Sequence, residues 1–177
     1  IIKKPKKAAI NYHDALLPAY AGIHATSWAI MNCEKKHGIT WHIIEEKLDT
    51  GNILVQKEIE IEDGETAVSL NMKCFQAAIE GFYELIDSII SGNLVGFPQN
   101  ISNRTYYGKW KKPKLASLIN WNKKNEEILN FVNSLDFGEY DNTLAVPKIT
   151  YKGKYYIVKE ISRSEKSDMK QAPGFAI

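Results

Sequence analysis

The strongest constraint on how this chain can fold lies between Leu70 and Ile90. Apolar residues recur there at Leu70, Cys74, Phe75, Ala78, Ile79, Phe82, Leu85, Ile86, Ile89 and Ile90, the i, i+3, i+4 stripe of a helix that must lie on a core. Asp63 or Thr66 can cap its first turn, and Gly92 can end it. Such a stripe needs a flat apolar surface to cover, and the preceding residues supply one. Ile39 to Glu45 is rich in β-branched and aromatic residues, and Ile53 to Ile61 alternates Val55, Ile59 and Ile61 with Gln56, Glu58 and Glu60, the period of a half-buried strand. Asp49-Thr50-Gly51 between them suits a turn joining two strands. Upstream, Ala8 to Asn11 reads as a short buried strand, and Pro18 stops any regular structure begun at Leu16 and Leu17. A short helix is expected from Ala25 to Cys33, closed by Gly38.

Periodicity collapses from Phe97 to Leu118, a charged stretch punctuated by Pro98 and Pro113 that reads as a linker. A second helix is expected near Asn122 to Leu135. A hairpin turned at Lys152-Gly153 should follow, and Ala172-Pro173-Gly174-Phe175 signals a last turn. At 177 residues there is room for one core plus a smaller appended unit. No apolar run approaches the ~20 residues of a membrane helix.

Charge gives little direction. The formal net charge of +2, from 23 basic and 21 acidic residues, makes no global case for nucleic acid or anionic lipid. Local basic clusters at Lys3, Lys4, Lys6 and Lys7, and at Lys109, Lys111, Lys112 and Lys114 around Trp110, read first as solvated, flexible stretches. Cys33 and Cys74 are too few and too far apart for a disulfide scaffold or a Cys-x-x-Cys metal knuckle. A reducing, cytoplasmic setting is the default expectation.

The residues that could carry chemistry begin at the first strand. If Asn11 to His13 is extended, Asn11 and His13 share a face and Tyr12 takes the other. Asn offers a neutral amide donor, and His can take or release a proton near neutrality. Asp14 should point away, whereas Asp49, in the turn after a neighbouring strand, can reach the strand tip. Such a trio suits acyl transfer to an amine: a fixed donor and an imidazolium stabilise the tetrahedral oxyanion, and a carboxylate takes the ammonium proton. Taken singly, each part has a plainer reading. Asn-x-His is commonly a capping contact, Asp-Thr-Gly is a common turn, and His24, His37 and His42 suit surface or core positions.

The combination is more specific than its parts. NYHDALLPAYAG followed by GITWHIIEEKLDTGNILVQ resembles the formyltransferase family that uses 10-formyltetrahydrofolate, whose pattern runs Asn-x-His, Leu-Leu-Pro, Gly-x-Thr-x-His, Asp-x-Gly. These are here Asn11 and His13; Leu16, Leu17 and Pro18; Gly38, Thr40 and His42; Asp49 and Gly51. The resemblance implies an α/β fold, the carboxyl-terminal half of a Rossmann-like formyltransferase domain followed by a linker and part of a small β-barrel. Residues 1–100 would be the catalytic segment, 101–118 the linker and 119–177 the start of the barrel-like domain. It implies Asn11 as oxyanion donor, His13 as charged stabiliser and proton shuttle, and Asp49 as the assisting carboxylate. Thr40 and His42 would support the site. Leu48, Thr50 and Gly51 would lie against the pterin ring of the co-substrate 10-formyltetrahydrofolate, with no metal.

Departures bear on the acceptor. Asp14-Ala15 replaces the family's usual Pro-Ser, and Ala21-Gly22 replaces the Arg-Gly pair typical of the tRNA enzyme. The expected acceptor is therefore a small molecule or a carrier-bound amino acid, with methionyl-tRNA as the alternative. Hydrolysis or hydroxymethyl transfer, and a folate-binding module without turnover, are further alternatives. The chain begins at Ile1 without the family's preceding nucleotide-fold half, so part of a larger multidomain polypeptide is expected, with little activity in the 177-residue piece alone.

Overall fold

The computed structural model describes Pro5 and residues 8–163. Strand β1 (Ile10–His13) is followed by the two-residue strand β2 (Ala21–Gly22), helix α1 (Ala25–Met31) and strand β3 (Lys36–Ile43). Strand β4 (Ile53–Glu60), helix α2 (Ala67–Ile90), strand β5 (Tyr106–Tyr107) and helix α3 (Asn125–Asn133) come next, and strands β6 (Lys148–Tyr151) and β7 (Lys154–Ile157) close the described chain. The fold is mixed α/β. The amino-terminal lysine cluster at Lys3, Lys4, Lys6 and Lys7 and the turn expected at 172–175 lie outside the described residues.

β1, β3 and β4 form one antiparallel sheet in the order β1-β3-β4, with Asn11 opposite His42 and His13 opposite Thr40. The first strand thus lies two residues later at each end than the expected Ala8 to Asn11, because pairing with β3 starts at Ile10 and carries it through His13. α2 lies on this sheet: Leu70, Cys74 and Ala77 pack with Ile30 and Ile39, joined by Tyr12 and Trp41. Its start is set by Thr66, whose hydroxyl accepts the Ser69 N–H at 3.2 Å while the Ser69 hydroxyl accepts the Thr66 N–H at 3.0 Å. That reciprocal cap satisfies two N–H groups a helix start leaves unpaired.

Gly38 does not close a helix. α1 ends at Met31, the chain turns through Cys33 at φ 58°, and Gly38 lies inside β3, where a Cβ would come within 2.1 Å of the Lys57 carbonyl oxygen. The glycine is there for close strand approach, a role that a single sequence does not distinguish from a helix stop.

The stretch from Phe97 to Leu118 folds back on the rest of the chain. Phe97 and Ile53 exchange backbone hydrogen bonds at 2.8 Å each way, and β5 pairs with β2 in parallel. Tyr107 is buried in a cluster with Ala15, Tyr20 and Trp28, its ring stacked on Tyr20 at 5.2 Å. Lys111, expected to be merely solvated, sets its ammonium 3.8 Å from the Tyr107 ring centroid, a cation–π contact. A smaller cluster of Ile119, Ile128 and Val132 joins α3 to the β6–β7 hairpin, whose turn places Lys152 and Gly153 at positive φ as expected. No helix among the described residues is long and apolar enough to cross a membrane.

Candidate active site

β1 ends in two polar side chains on one face of the sheet, opposite Tyr12, which turns to Trp41 and the core. Asn11 Nδ2 lies 3.3 Å from His42 Nε2. His42 Nδ1 is 2.8 Å from the Ile43 carbonyl, to which it can only donate, so Nε2 is the lone-pair nitrogen and accepts from the Asn11 amide. One Asn11 N–H is thereby held, and the second has no acceptor among the described residues. Burial holds the His42 imidazole below its ordinary pKa, against opposing contributions from the Ile43 carbonyl and Asp49, which keeps that lone pair available at neutral pH.

His13 is buried, and its Nε2 donates to the Tyr20 carbonyl at 2.9 Å. Its other nitrogen, Nδ1, faces Asp49 Oδ2 and Asp14 Oδ1, each at 4.0 Å. Asp49 enters from the turn between β3 and β4 in the left-handed region at φ 53°, a conformation Asp tolerates better than most residues. Its Oδ2 accepts the Gly22 N–H at 2.9 Å, and its Oδ1 lies 3.7 Å from His42 Nε2. Asn11, His13, His42 and Asp49 therefore form one connected group. Asp14, expected to point away, turns toward His13 instead, because β1 ends at His13 and the pleat no longer dictates the direction of the next side chain.

The remaining sequence-selected residues hold the frame. The Thr40 hydroxyl donates to the Ala15 carbonyl at 2.6 Å and accepts the Leu17 N–H at 3.1 Å, tying the Leu16-Leu17-Pro18 bend to β3. In the 48–51 turn, Leu48 is exposed with its carbonyl held by Arg104, and the Thr50 hydroxyl donates to the Lys47 carbonyl. A Cβ on Gly51 would sit 1.8 Å from the Ile43 carbonyl oxygen. Gly51→Ala should therefore destabilise the fold by about 3 kcal/mol or more through a backbone clash, read as a lowered Tm; an unchanged Tm would contradict the packing of this turn.

Sequence reasoning missed the backbone partners Tyr20 C=O and Gly22 N–H, and two glutamines. Gln56 reaches back from β4 to the Leu17 carbonyl and the Thr40 hydroxyl at 3.0 and 2.9 Å, and Gln99 bonds the Asp49 and Gly51 carbonyls. Gln56 falls on the polar phase of its strand's alternation, which hid it. Gln99 lies in a stretch with no periodic signal. Away from this group, a cavity of about 440 Å³ lies between the start of α2, α3 and the residues after β7, lined by Asp63, Thr66, Asn130 and Arg163 among others.

The histidines tie stability to pH. Burial depresses the pKa of His37, whose Nε2 donates to the Asp14 carbonyl at 2.6 Å, as it does that of His42. A folded-state value below the ordinary 6.5 contributes stability that is complete above that pH and is lost as pH falls through it toward the folded value. Tm should hold steady above about pH 7 and fall between about pH 6.5 and 5, before most carboxylates titrate. His37→Gln, which keeps a donor for the Asp14 carbonyl, should flatten that slope; an unchanged slope would remove His37 from the account.

The pattern of these residues has known counterparts. The family described as "Formyl transferase" matches residues 1–86. Residues 1–86 belong to the formyltransferase family. Methionyl-tRNA formyltransferase of Thermodesulfovibrio yellowstonii is 41% identical over 132 residues, covering 75% of this chain and 42% of that protein. The enzyme of the same name from Clostridium tetani is 33% identical over 179 residues, covering 100% of this chain and 54% of that protein. The chain thus spans about half the length of the curated relatives it matches. Among solved structures, the N-formyltransferase of Helicobacter canadensis, in complex with folinic acid and dTDP-3-aminofucose, superposes with a TM-score of 0.71 at 28% identity, over 81% of this chain and 51% of that one. The four connected side chains all lie inside the residues matched to this family.

Proposed function

We propose that the protein to which this chain belongs transfers the formyl group of 10-formyltetrahydrofolate to a primary amine. The observation carrying the reading is the connected group Asn11, His42, Asp49 and His13, linked at 3.3, 3.7 and 4.0 Å within the segment matched to the family. Asn11 points its unused amide N–H at the oxygen of the formyl group and stabilises it as the carbonyl becomes tetrahedral. His13, with Nε2 committed to Tyr20, handles the acceptor's proton at Nδ1, and Asp49 holds the charge that proton brings. Leu48, Thr50 and Gly51 form the turn against which the pterin ring rests, and Thr40 and His42 support the site from β3. No metal takes part.

Residues 1–100 form the catalytic segment of a Rossmann-like domain, 101–118 its linker and 119–177, of which 164–177 lie outside the described residues, the start of a small β-barrel, within a larger cytoplasmic polypeptide. The acceptor is a small molecule or a carrier-bound amino acid. The Helicobacter canadensis structure, with an amino-sugar nucleotide bound, supports a small-molecule amine. The identity to methionyl-tRNA formyltransferases favours methionyl-tRNA as the second reading.

The test is an assay of the full-length protein with 10-formyltetrahydrofolate and three acceptors: an amino-sugar nucleotide, an aminoacyl thioester on a carrier protein, and methionyl-tRNA. Formylated amine and tetrahydrofolate should appear in equal amounts with one of them. Formate release without any formylated amine would replace transfer by hydrolysis, and no turnover of the folate at all would leave a binding module.

A further inference from the structure

Two carboxylates face His13 Nδ1 at the same 4.0 Å, and they differ in everything else. The Asp49 side chain is 4% exposed, with one oxygen accepting the Gly22 N–H and the other turned to His42. A proton delivered there is held away from bulk solvent. The Asp14 side chain is 31% exposed, and its carboxylate accepts no hydrogen bond from the described residues. His13 Nε2 is occupied by the Tyr20 carbonyl, so any second proton on the ring sits on Nδ1, between these two groups.

On the formyl-transfer reading given above, we propose that Asp14 is the outer proton acceptor of the site, taking from His13 Nδ1 the proton that the acceptor's ammonium surrenders and passing it to water. The acceptor nitrogen loses two protons in the reaction. The first leaves the ammonium for His13 Nδ1, which frees the lone pair that forms the new C–N bond to the formyl carbon. The second leaves as the bond from the formyl carbon to the folate nitrogen breaks, and that nitrogen takes the electron pair and a proton. The first proton is released in net terms, and Asp14 gives it a way out. The 4.0 Å separation closes by rotation of the Asp14 side chain or through one water, as catalytic contacts do when substrate is bound.

Other groups bear on the pair: Asp49 from its turn, His37 and His42 from β3, Tyr12 from the other face of β1, Cys74 from α2, and His24 beside α1, which is itself near Lys112 of the folded-back stretch. Burial and neighbouring charge hold His24, His37 and His42 below their ordinary pKa, and burial raises the Tyr12 and Cys74 values. None of these competes for the proton as a carboxylate open to water. Because Asp14 acts through His13, it is a positioning residue rather than one that touches the substrate.

The experiment compares wild type, Asp14→Asn and Asp14→Glu in the full-length protein. The acceptor is whichever of the amino-sugar nucleotide, aminoacyl thioester and methionyl-tRNA the wild type formylates. Asp14→Asn should lower kcat by about 10-fold or more near neutral pH, with KM within about 2-fold. The deficit should shrink above about pH 8, where an α-amine is already deprotonated. Asp14→Glu, or added acetate, should restore part of the rate. Asp14→Asn matching wild type at every pH would overturn the inference. So would a loss independent of pH that neither glutamate nor acetate repairs. A wild type that formylates no amine would instead overturn the formyl-transfer reading.

Discussion

Replacing Asn11 by alanine in the full-length protein should reduce kcat for formyl transfer by about 10²- to 10³-fold or below detection, the range for losing one preorganised oxyanion donor. Among the described residues the side chain is held by one hydrogen bond: its amide donates to His42 Nε2, whose own direction is fixed by the 2.8 Å bond from Nδ1 to the Ile43 carbonyl. Alanine removes the donor at the reacting carbonyl and leaves the fold, because Asn11 is only partly buried and its backbone pairing with His42 is retained. The cost in stability should be about 1 kcal/mol, that of one ordinary hydrogen bond. Steady-state kinetics beside a thermal melt separate the two effects. An Asn11→Ala enzyme with near-normal turnover and an intact melt would remove Asn11 from the chemistry.

How much of this was legible in the sequence follows from the range of the interactions. The α2 stripe, its Thr66 cap and the alternation of β4 are local signals, and they appear where expected. Asn11 and His13 fall on one face because a strand repeats every two residues, and Asp49 was reachable because its turn follows a strand paired to theirs. What stayed hidden depends on backbone groups brought together from afar. The Tyr20 carbonyl and the Gly22 N–H carry no side-chain signature, and Gly38 reads as a stop until the Lys57 carbonyl is seen against it. Asp14 was misdirected for a related reason: period two was applied one residue past the end of the strand. The packing of the stretch from Phe97 to Leu118 stayed hidden because its order comes from partners such as Ile53, Tyr20 and Ala21, not from its own periodicity.

Asp49 should give the other large effect, and two substitutions there separate its charge from its structural role. Asp49→Asn keeps an oxygen for the Gly22 N–H and removes the negative charge that faces His13 Nδ1 and His42 Nε2. Its kcat should fall by about 10²- to 10⁴-fold, the usual size of a lost acid–base partner, with the melt little changed. Asp49→Ala also strips the part-buried Gly22 N–H of its acceptor, a further cost of about 1 kcal/mol, so its Tm should fall as its activity disappears. The same N–H holds β2, which pairs with β5 and so secures the folded-back stretch; loosening should therefore extend to residues 105–107, read as faster amide exchange there in Asp49→Ala than in Asp49→Asn. If Asp49→Asn turned over near the wild-type rate while Asp49→Ala did not, the carboxylate would be a structural acceptor only, and the proton would have to leave the acceptor amine without it.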